Sequence, residues 1–407
     1  RLGVQIPIPG LDGAALKQVF ESMQGTIFGF FNLFSGGALE RFSIFALGIM
    51  PYISSSIIFQ LLTVVVPYFH DLQKEGEQGR KKITQYTRYG AVLLAIIQGT
   101  GIATQLQNYS NPSVVLNPGT AFVVMTVITL TAGTLFLMWI GEQLSERGIG
   151  NGTSVLIYAG IAAGIPSGIG SAFSLYRSGE LSFFKILIIL AIIMITFFAI
   201  IFVERGARRI PIQYAKRVVG RKVYGGQNTF LPLKVNVSGV IPPIFASSLL
   251  MFPATFAAFS NFAWLQKITQ QITPGAMLYE ILFVSLIVFF CYFYTAVVFK
   301  TDDVAENLKK NGCFIPGIRP GEATGQYIDY VLGRITLGGA VYIAAICVLP
   351  TIFTQSLKVP FYFGGTSVLI LVGVALDTVA QIETHLLTSN YEGFMKHTRL
   401  KGRQAYT

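Results

Sequence analysis

The chain has 407 residues, 52% of them hydrophobic and only 12% charged, with a mean hydropathy of +0.60. A water-soluble domain carries about 25% charged residues, so this composition excludes a soluble enzyme and requires a protein whose solvent is largely lipid. The formal net charge of +11 must then sit outside the hydrocarbon.

A helix that crosses the hydrocarbon core needs about 20 apolar residues. Nine stretches meet that length, at 42–66, 89–106, 120–140, 153–174, 184–203, 238–258, 277–299, 335–353 and 361–386. In the first, Gly48 and Pro51 predict a break, and the run Ser35-Gly-Gly-Ala38 ahead of it can bend freely. Lys185, Glu280 and Glu383 lie near span ends, where long side chains reach the interface. Asp377 is the one charge well inside a span, and it reads as a structural residue turned toward the bundle or the cytoplasm.

Loops on alternate sides differ in charge. Those at 67–88, 141–152, 204–237 and 300–334, with the segment after 386, hold 23 of the 30 lysines and arginines. Such an excess marks the cytoplasmic side, so the C-terminus is predicted to be cytoplasmic. Nine spans then leave Arg1 outside with no helix ahead of it, which predicts one further span upstream and ten in all.

Two spans share a pattern. Gly48-Ile-Met-Pro51-Tyr-Ile53-Ser-Ser-Ser56 matches Gly239-Val-Ile-Pro242-Pro-Ile244-Phe-Ala-Ser247 at a constant offset of 191 residues. The offset covers five spans, an odd number, so the copies cross the membrane in opposite senses. Two inverted five-helix halves with a pathway between them fit this pattern. Broken backbone at membrane depth survives only inside protein or beside a watery cavity.

Several chemistries lack their residues. No phosphate-cradling Gly-x-x-x-x-Gly-Lys-Ser/Thr run occurs, and Gly148-Ile-Gly150-Asn-Gly152 follows a span rather than a strand and reads as a tight turn. His70, His385 and His397 all lie outside span centres, which gives no support to a histidine metal site or an intramembrane Ser-His protease. Cys291, Cys313 and Cys347 show no disulfide or metal spacing. No cofactor is implied.

Two loops stand out. Residues 205–237 carry eight basic residues and no acid: Arg205, Arg208, Arg209, Lys216, Arg217, Arg221, Lys222 and Lys234. Segments 210–218 and 222–224 flank Gly220 and predict a projecting hairpin. In Pro316-Gly-Ile-Arg319-Pro320-Gly, two prolines stiffen the backbone around one arginine. Basic projections of this kind suit an anionic partner, RNA or an acidic protein surface.

Long stretches of the chain resemble the SecY family, the channel-forming subunits of the bacterial protein translocon. They include Phe34-Ser-Gly-Gly-Ala-Leu39, Gly79-Arg-Lys-Lys-Ile-Thr-Gln-Tyr-Thr-Arg88, Leu144-Ser-Glu-Arg-Gly-Ile-Gly-Asn-Gly152, Leu231-Pro-Leu-Lys-Val-Asn236, Gly317-Ile-Arg-Pro-Gly321 and Val359-Pro-Phe-Tyr-Phe-Gly-Gly-Thr366. The resemblance runs from Ile6 to about Gly402 and departs at the front, where the family's first helix is missing.

The resemblance implies an all-α membrane protein, a ten-helix bundle in two inverted halves around a central pore. The halves correspond to 1–174 and 184–386, with 387–407 as a cytoplasmic tail. It implies a short plug helix at 36–47, including Gly36, Gly37, Ala38, Leu39 and Phe42, and a constriction ring of Ile49, Ile53, Ile157, Ile244 and Ile370. It implies a lateral gate between 51–66 with 89–106 and 238–258 with 277–299, with Gln98 and Asn236 near the seam. Arg208, Arg209, Lys216, Arg217, Arg221, Lys222 and Arg319 match the surface that meets the motor ATPase SecA or the ribosome. SecE and SecG are the implied membrane partners, preproteins with signal sequences the implied substrates, and the bacterial cytoplasmic membrane the implied location.

From the residues alone two functions stay open, a polypeptide channel driven by a partner and a secondary transporter with inverted repeats. The scarcity of buried charge and the basic projections favour the channel.

Overall fold

The computed structural model describes residues 2–13, 15–16, 35–108, 114–179, 182–214, 217–219, 222–224, 228–259, 276–357 and 365–402. Their contacts divide into two compact units, one of 1–167 with 370–407 and the other of 168–369.

In the first unit, α1 (Met50–Val65) starts with Pro51 in its first turn, where a missing N–H costs nothing. It stops at Val66 because Pro67 holds that residue in an extended conformation, φ −101° and ψ 118°. The short α2 (Pro67–Lys74) leaves at 94° to α1. Gly76, at φ +77°, turns the chain into α3 (Glu77–Asn108). At 1.5 Å per residue α3 is about 48 Å long, well beyond the hydrocarbon thickness, so its polar first turns extend past the lipid. α3 packs on both α1 and α4 (Thr120–Arg147). Ser55 Oγ donates to the Thr87 carbonyl at 2.7 Å, and Arg88 Nε donates to Glu142 Oε1 at 2.7 Å.

The unit continues with the first part of α5 (Gly152–Arg177), as far as residue 167, and takes in most of α11 (Gly365–Gly402). The 148–152 segment is a tight turn with Gly150 at φ +93°, and Asn151 Oδ1 accepts from the N–H of Thr153. A Cβ at Gly152 would collide with the Gly141 carbonyl, so two glycines set the close passage of this turn against α4. Asp377 is exposed on α11.

In the second unit, α6 (Phe183–Glu204) has a mean hydropathy of 3.4 over its apolar window, of which only 6% is buried. Nearly its whole circumference is left for lipid. α7 (Ile241–Phe259) packs on α8 (Met277–Val298), and α8 on α10 (Glu322–Leu357).

Between these helices the two basic loops fold together. β1 (Ala207–Tyr214) pairs antiparallel with β4 (Asn228–Lys234), Ile210 facing Leu231, and with β5 (Cys313–Phe314) on its other edge. Beyond them β2 (Arg217–Val219) and β3 (Lys222–Tyr224) form a separate two-stranded ribbon. The hairpin is therefore longer than the sequence indicates, since 210–213 pairs with β4 and not with 222–224. The sheet and the start of α10 enclose a small core of Ile210, Leu233, Ile315, Ile328 and Leu332, against which α9 (Thr301–Lys310) lays Val304 and Leu308.

Seven described helices, α3, α4, α5, α6, α8, α10 and α11, hold stretches long and apolar enough to span a bilayer, and α1 reaches that length only together with α2, from which it is bent by 94°. Several boundaries differ from those the apolar stretches predict. The first span is helical only from Met50, whereas α3 begins at Glu77, α10 begins at Glu322 and α11 runs to Gly402, because a helix can run on in water past the apolar stretch that marks it. Residues 361–364, read as the start of the last span, lie outside the described residues.

Candidate functional site

The two copies of the Gly-x-x-Pro pattern begin their helices in the same way. Gly48 has φ +57° and Gly239 φ +63°, both in the left-handed region that a side chain disfavours. Two residues later α1 starts at Met50 and α7 at Ile241, again 191 residues apart, each with its proline in the first turn. Ile53 and Ile244 are thus each the fourth residue of their helix, and both are buried, 6% and 4% exposed.

The other residues of the expected ring are buried as well, Ile49 at 5%, Ile157 at 3% and Ile370 at 0%. Ile49, Ile53, Ile157 and Ile370 belong to the first unit and Ile244 to the second. Space for Ile49 comes from α4: a Cβ at Gly141 would stand 3.5 Å from Ile49 Cδ1 and 3.3 Å from Leu156 Cδ1.

The segment before α1 is not the short helix expected at 36–47. It is a run of turns, with Gly36 at φ +67°, Gly37 at +83° and Phe42 at +42°. Its bonds are those of turns, Phe42 N–H to the Leu39 carbonyl and Gly48 N–H to that of Phe45. It is tied instead to the front of the chain: Ile8 N–H donates to the Phe42 carbonyl, Ile44 N–H to that of Ile6, and Pro7 bridges Ser43. Ala38, Leu39 and Phe42 are buried nonetheless. A Cβ at Gly36 would touch Gly160 at 3.1 Å, and one at Gly133 would collide with the Ile44 carbonyl, so glycines on α5 and α4 seat the turns.

Of the expected gate residues, Gln98 is buried on α3, and its Oε1 has no hydrogen-bond partner among the described residues. Asn236 is buried between β4 and α7 and makes several bonds. Its Nδ2 donates to Glu204 Oε1 at 2.6 Å and to the Gly239 carbonyl at 3.0 Å. Glu204 has no place in the sequence reading, where a carboxylate at the end of a span is simply one more interfacial charge.

Arg319 stands exposed on a rigid base. Ile315 is buried in the small core and Ile318 packs against it. Gly317 and Gly321 have φ +82° and +108°, and Thr324 Oγ1 donates to the Arg319 carbonyl at 2.9 Å. Arg208 and Arg209 are exposed on β1 of the same platform. Arg217 and Lys222 lie on the β2–β3 ribbon, while Lys216 and Arg221 lie outside the described residues.

The SecY family model matches residues 43–379. The chain belongs to the SecY family. It is 54% identical over 407 residues to the protein translocase subunit SecY of Escherichia coli K12, covering 99% of this chain and 92% of that one. Its identity to protein translocase subunit SecY of Vibrio cholerae serotype O1 is 52% over 409 residues, with the same coverage. Among solved structures, one described as "The structure of a protein conducting channel" superposes with a TM-score of 0.66 at 16% identity, over 93% of both chains. Sec61 in the canine ribosome-channel complex from the endoplasmic reticulum gives 0.61 at 14% identity, over 93% of both. This SecY-family protein therefore shares its helical fold with channels of widely different sequence, and it is a multi-pass membrane protein.

Proposed function

We propose that this SecY-family protein is the protein-conducting channel of a translocon. It passes unfolded preproteins across the bacterial cytoplasmic membrane and releases transmembrane segments sideways into lipid. It is a channel and not an enzyme. The observation that carries the reading is the pair of matching helix starts, each placing a buried isoleucine one turn beyond a glycine break, in a chain more than half identical to a translocase subunit.

Ile49, Ile53, Ile157, Ile244 and Ile370 act as the constriction, and the turns around Gly36, Gly37, Ala38, Leu39 and Phe42 as the plug. Branched aliphatic side chains offer a passing chain no hydrogen bond, so they neither select its sequence nor hold it. Gln98 and Asn236 serve the lateral gate. The halves 1–174 and 184–386 are related by the inverted repeat. SecE and SecG are the membrane partners; SecA or the ribosome docks on Arg319 and the basic loop that includes Arg208, Arg209, Lys216, Arg217, Arg221 and Lys222. Such docking needs an anionic partner surface, which the charge of the platform supplies in complement. The secondary-transporter reading is not favoured, since the relatives are translocase subunits and the fold is that of protein-conducting channels.

The deciding measurement uses purified complex in vesicles with a preprotein carrying a signal sequence. Protease-protected preprotein is expected only when the ATPase and ATP are both added. Uptake of a small solute without any partner, and no protected preprotein, would overturn the channel.

Orientation has its own test. With the C-terminus and both basic loops cytoplasmic, Asn117 faces outside and Arg319 inside. Cysteine at each exposed position is to be labelled in intact cells with an impermeant thiol reagent, in a background where Cys291, Cys313 and Cys347 are replaced by serine or alanine. Labelling at 117 alone is expected, and labelling at 319 alone would reverse the topology.

A further inference from the structure

The chain enters α7 through a junction built around one amide and one carboxylate. Glu204, half-buried, is the last residue of α6. Asn236 is 4% exposed and stands 32 residues later, just after β4. The Nδ2 of Asn236 donates to Glu204 Oε1 at 2.6 Å and to the Gly239 carbonyl at 3.0 Å, while Ser238 Oγ donates to Asn236 Oδ1 at 3.1 Å. A hydrogen bond donated by an amide to a carboxylate is the short, strong kind, and a buried amide deprived of it keeps its desolvation cost.

The backbone beside Asn236 is fixed as well. Val235 N–H donates to the Gly206 carbonyl at 3.0 Å, two residues beyond Glu204. α10 presents Gly339 there, and a Cβ on it would lie 2.8 Å from the Val235 carbonyl, closer than such contacts allow. Gly239, whose carbonyl Asn236 holds, has φ +63° and stands two residues before α7 begins. The direction in which α7 leaves the junction is therefore set at Gly239, by a side chain that is itself held by Glu204.

We propose that Glu204 is a positioning residue of the gate: through Asn236 it holds the start of α7 in its resting direction, and so biases the gate toward the closed state. The inference rests on the channel reading above. A swing of α7 about Gly239 stretches the bonds that Asn236 makes on either side. Removing the carboxylate lowers the cost of opening, and a closed-open equilibrium shifted toward open accepts weaker ligands. Here the ligand is a signal sequence.

The test is a ratio in cells whose only translocation channel is this protein: export of a reporter with a defective signal sequence over export of one with an intact signal. Accumulation of each variant is followed by immunoblot. Loss of a charge-assisted hydrogen bond shifts an equilibrium by about tenfold, so Glu204→Ala is expected to raise the ratio by about that factor. Asn236→Ala removes the amide that holds the Gly239 carbonyl and is expected to raise it similarly. Because Glu204 acts through Asn236, adding Glu204→Ala to Asn236→Ala is expected to change the ratio by no more than about threefold, since coupled residues are not additive.

Two independent structural defects would instead add. A Glu204→Ala ratio equal to the parent, or a double variant raised by about the product of the two single effects, would overturn the proposal. Glu204→Met, which removes the acceptor without leaving a cavity, takes the place of Glu204→Ala in the same comparison if that variant fails to accumulate. Failure of the parent chain to export the intact-signal reporter is a different result, and it would remove the channel reading itself.

Discussion

Arg319→Glu is expected to abolish partner-driven transport while the protein still inserts and accumulates in the membrane. The loop that carries Arg319 is already ordered: Ile315 is in a small core, Gly317 and Gly321 hold the turn, and Thr324 pins the Arg319 carbonyl. Only the side chain has rotamers to lose on docking, and such preorganisation lets an exposed guanidinium act as an anchor. Central anchors of this type commonly cost about 2 kcal/mol or more when lost, a factor of roughly thirty. Reversal of the charge adds repulsion from an anionic partner. The ATPase-dependent translocation rate in vesicles should fall by at least about thirtyfold. Arg209→Glu, on a strand without such a clamped turn, should change mainly the association rate and its salt dependence. An Arg319→Glu protein that translocates at the parent rate would leave the loop with a structural role only.

That contrast between two arginines was not available from the sequence, where both are simply basic residues in cytoplasmic loops. What separates them is a core assembled from Ile210, Leu233, Ile315, Ile328 and Leu332, residues of two loops on either side of α7 and α8. No local periodicity links such distant positions. The spans were legible because a bilayer asks only for length and apolar composition, and the break at Gly48 to Pro51 because glycine and proline act locally. The turns at 36–47 were not, since nothing in that segment forbids a helix. Pairing of 6–8 with 42–44 and the close seats at Gly133 and Gly160 decide its conformation instead. Glu204 was hidden for a similar reason: its meaning lies in a hydrogen bond to a residue 32 positions away.

A second large effect is expected at the constriction. A translocon must pass chains of any sequence and still hold back ions. Polar contacts would retain some chains, and a wide polar neck would leak. Isoleucines pack against apolar neighbours when no chain is present, and a narrow apolar neck stays dewetted. Stripping water from an ion costs several kcal/mol or more even in relaxed protein, against an RT of about 0.6 kcal/mol, so a dry neck is an effective barrier. Ile53 and Ile244 hold the same place in the two copies of the repeat, each one turn past a left-handed glycine and each buried. Asparagine has nearly the span of isoleucine but carries a donor and an acceptor that recruit water. Ile244→Asn should wet the neck, and Ile53→Asn with Ile244→Asn more so. In planar bilayers with no translocating chain, the double variant should open at least about ten times as often as the parent, the factor that each 1.4 kcal/mol lost from the closed state gives. Defective signal sequences should also be exported more readily, because the closed state they must displace is weaker. A double variant that accumulates normally yet leaks no more than the parent would remove these isoleucines from the seal and leave it to the buried turns around Leu39 and Phe42.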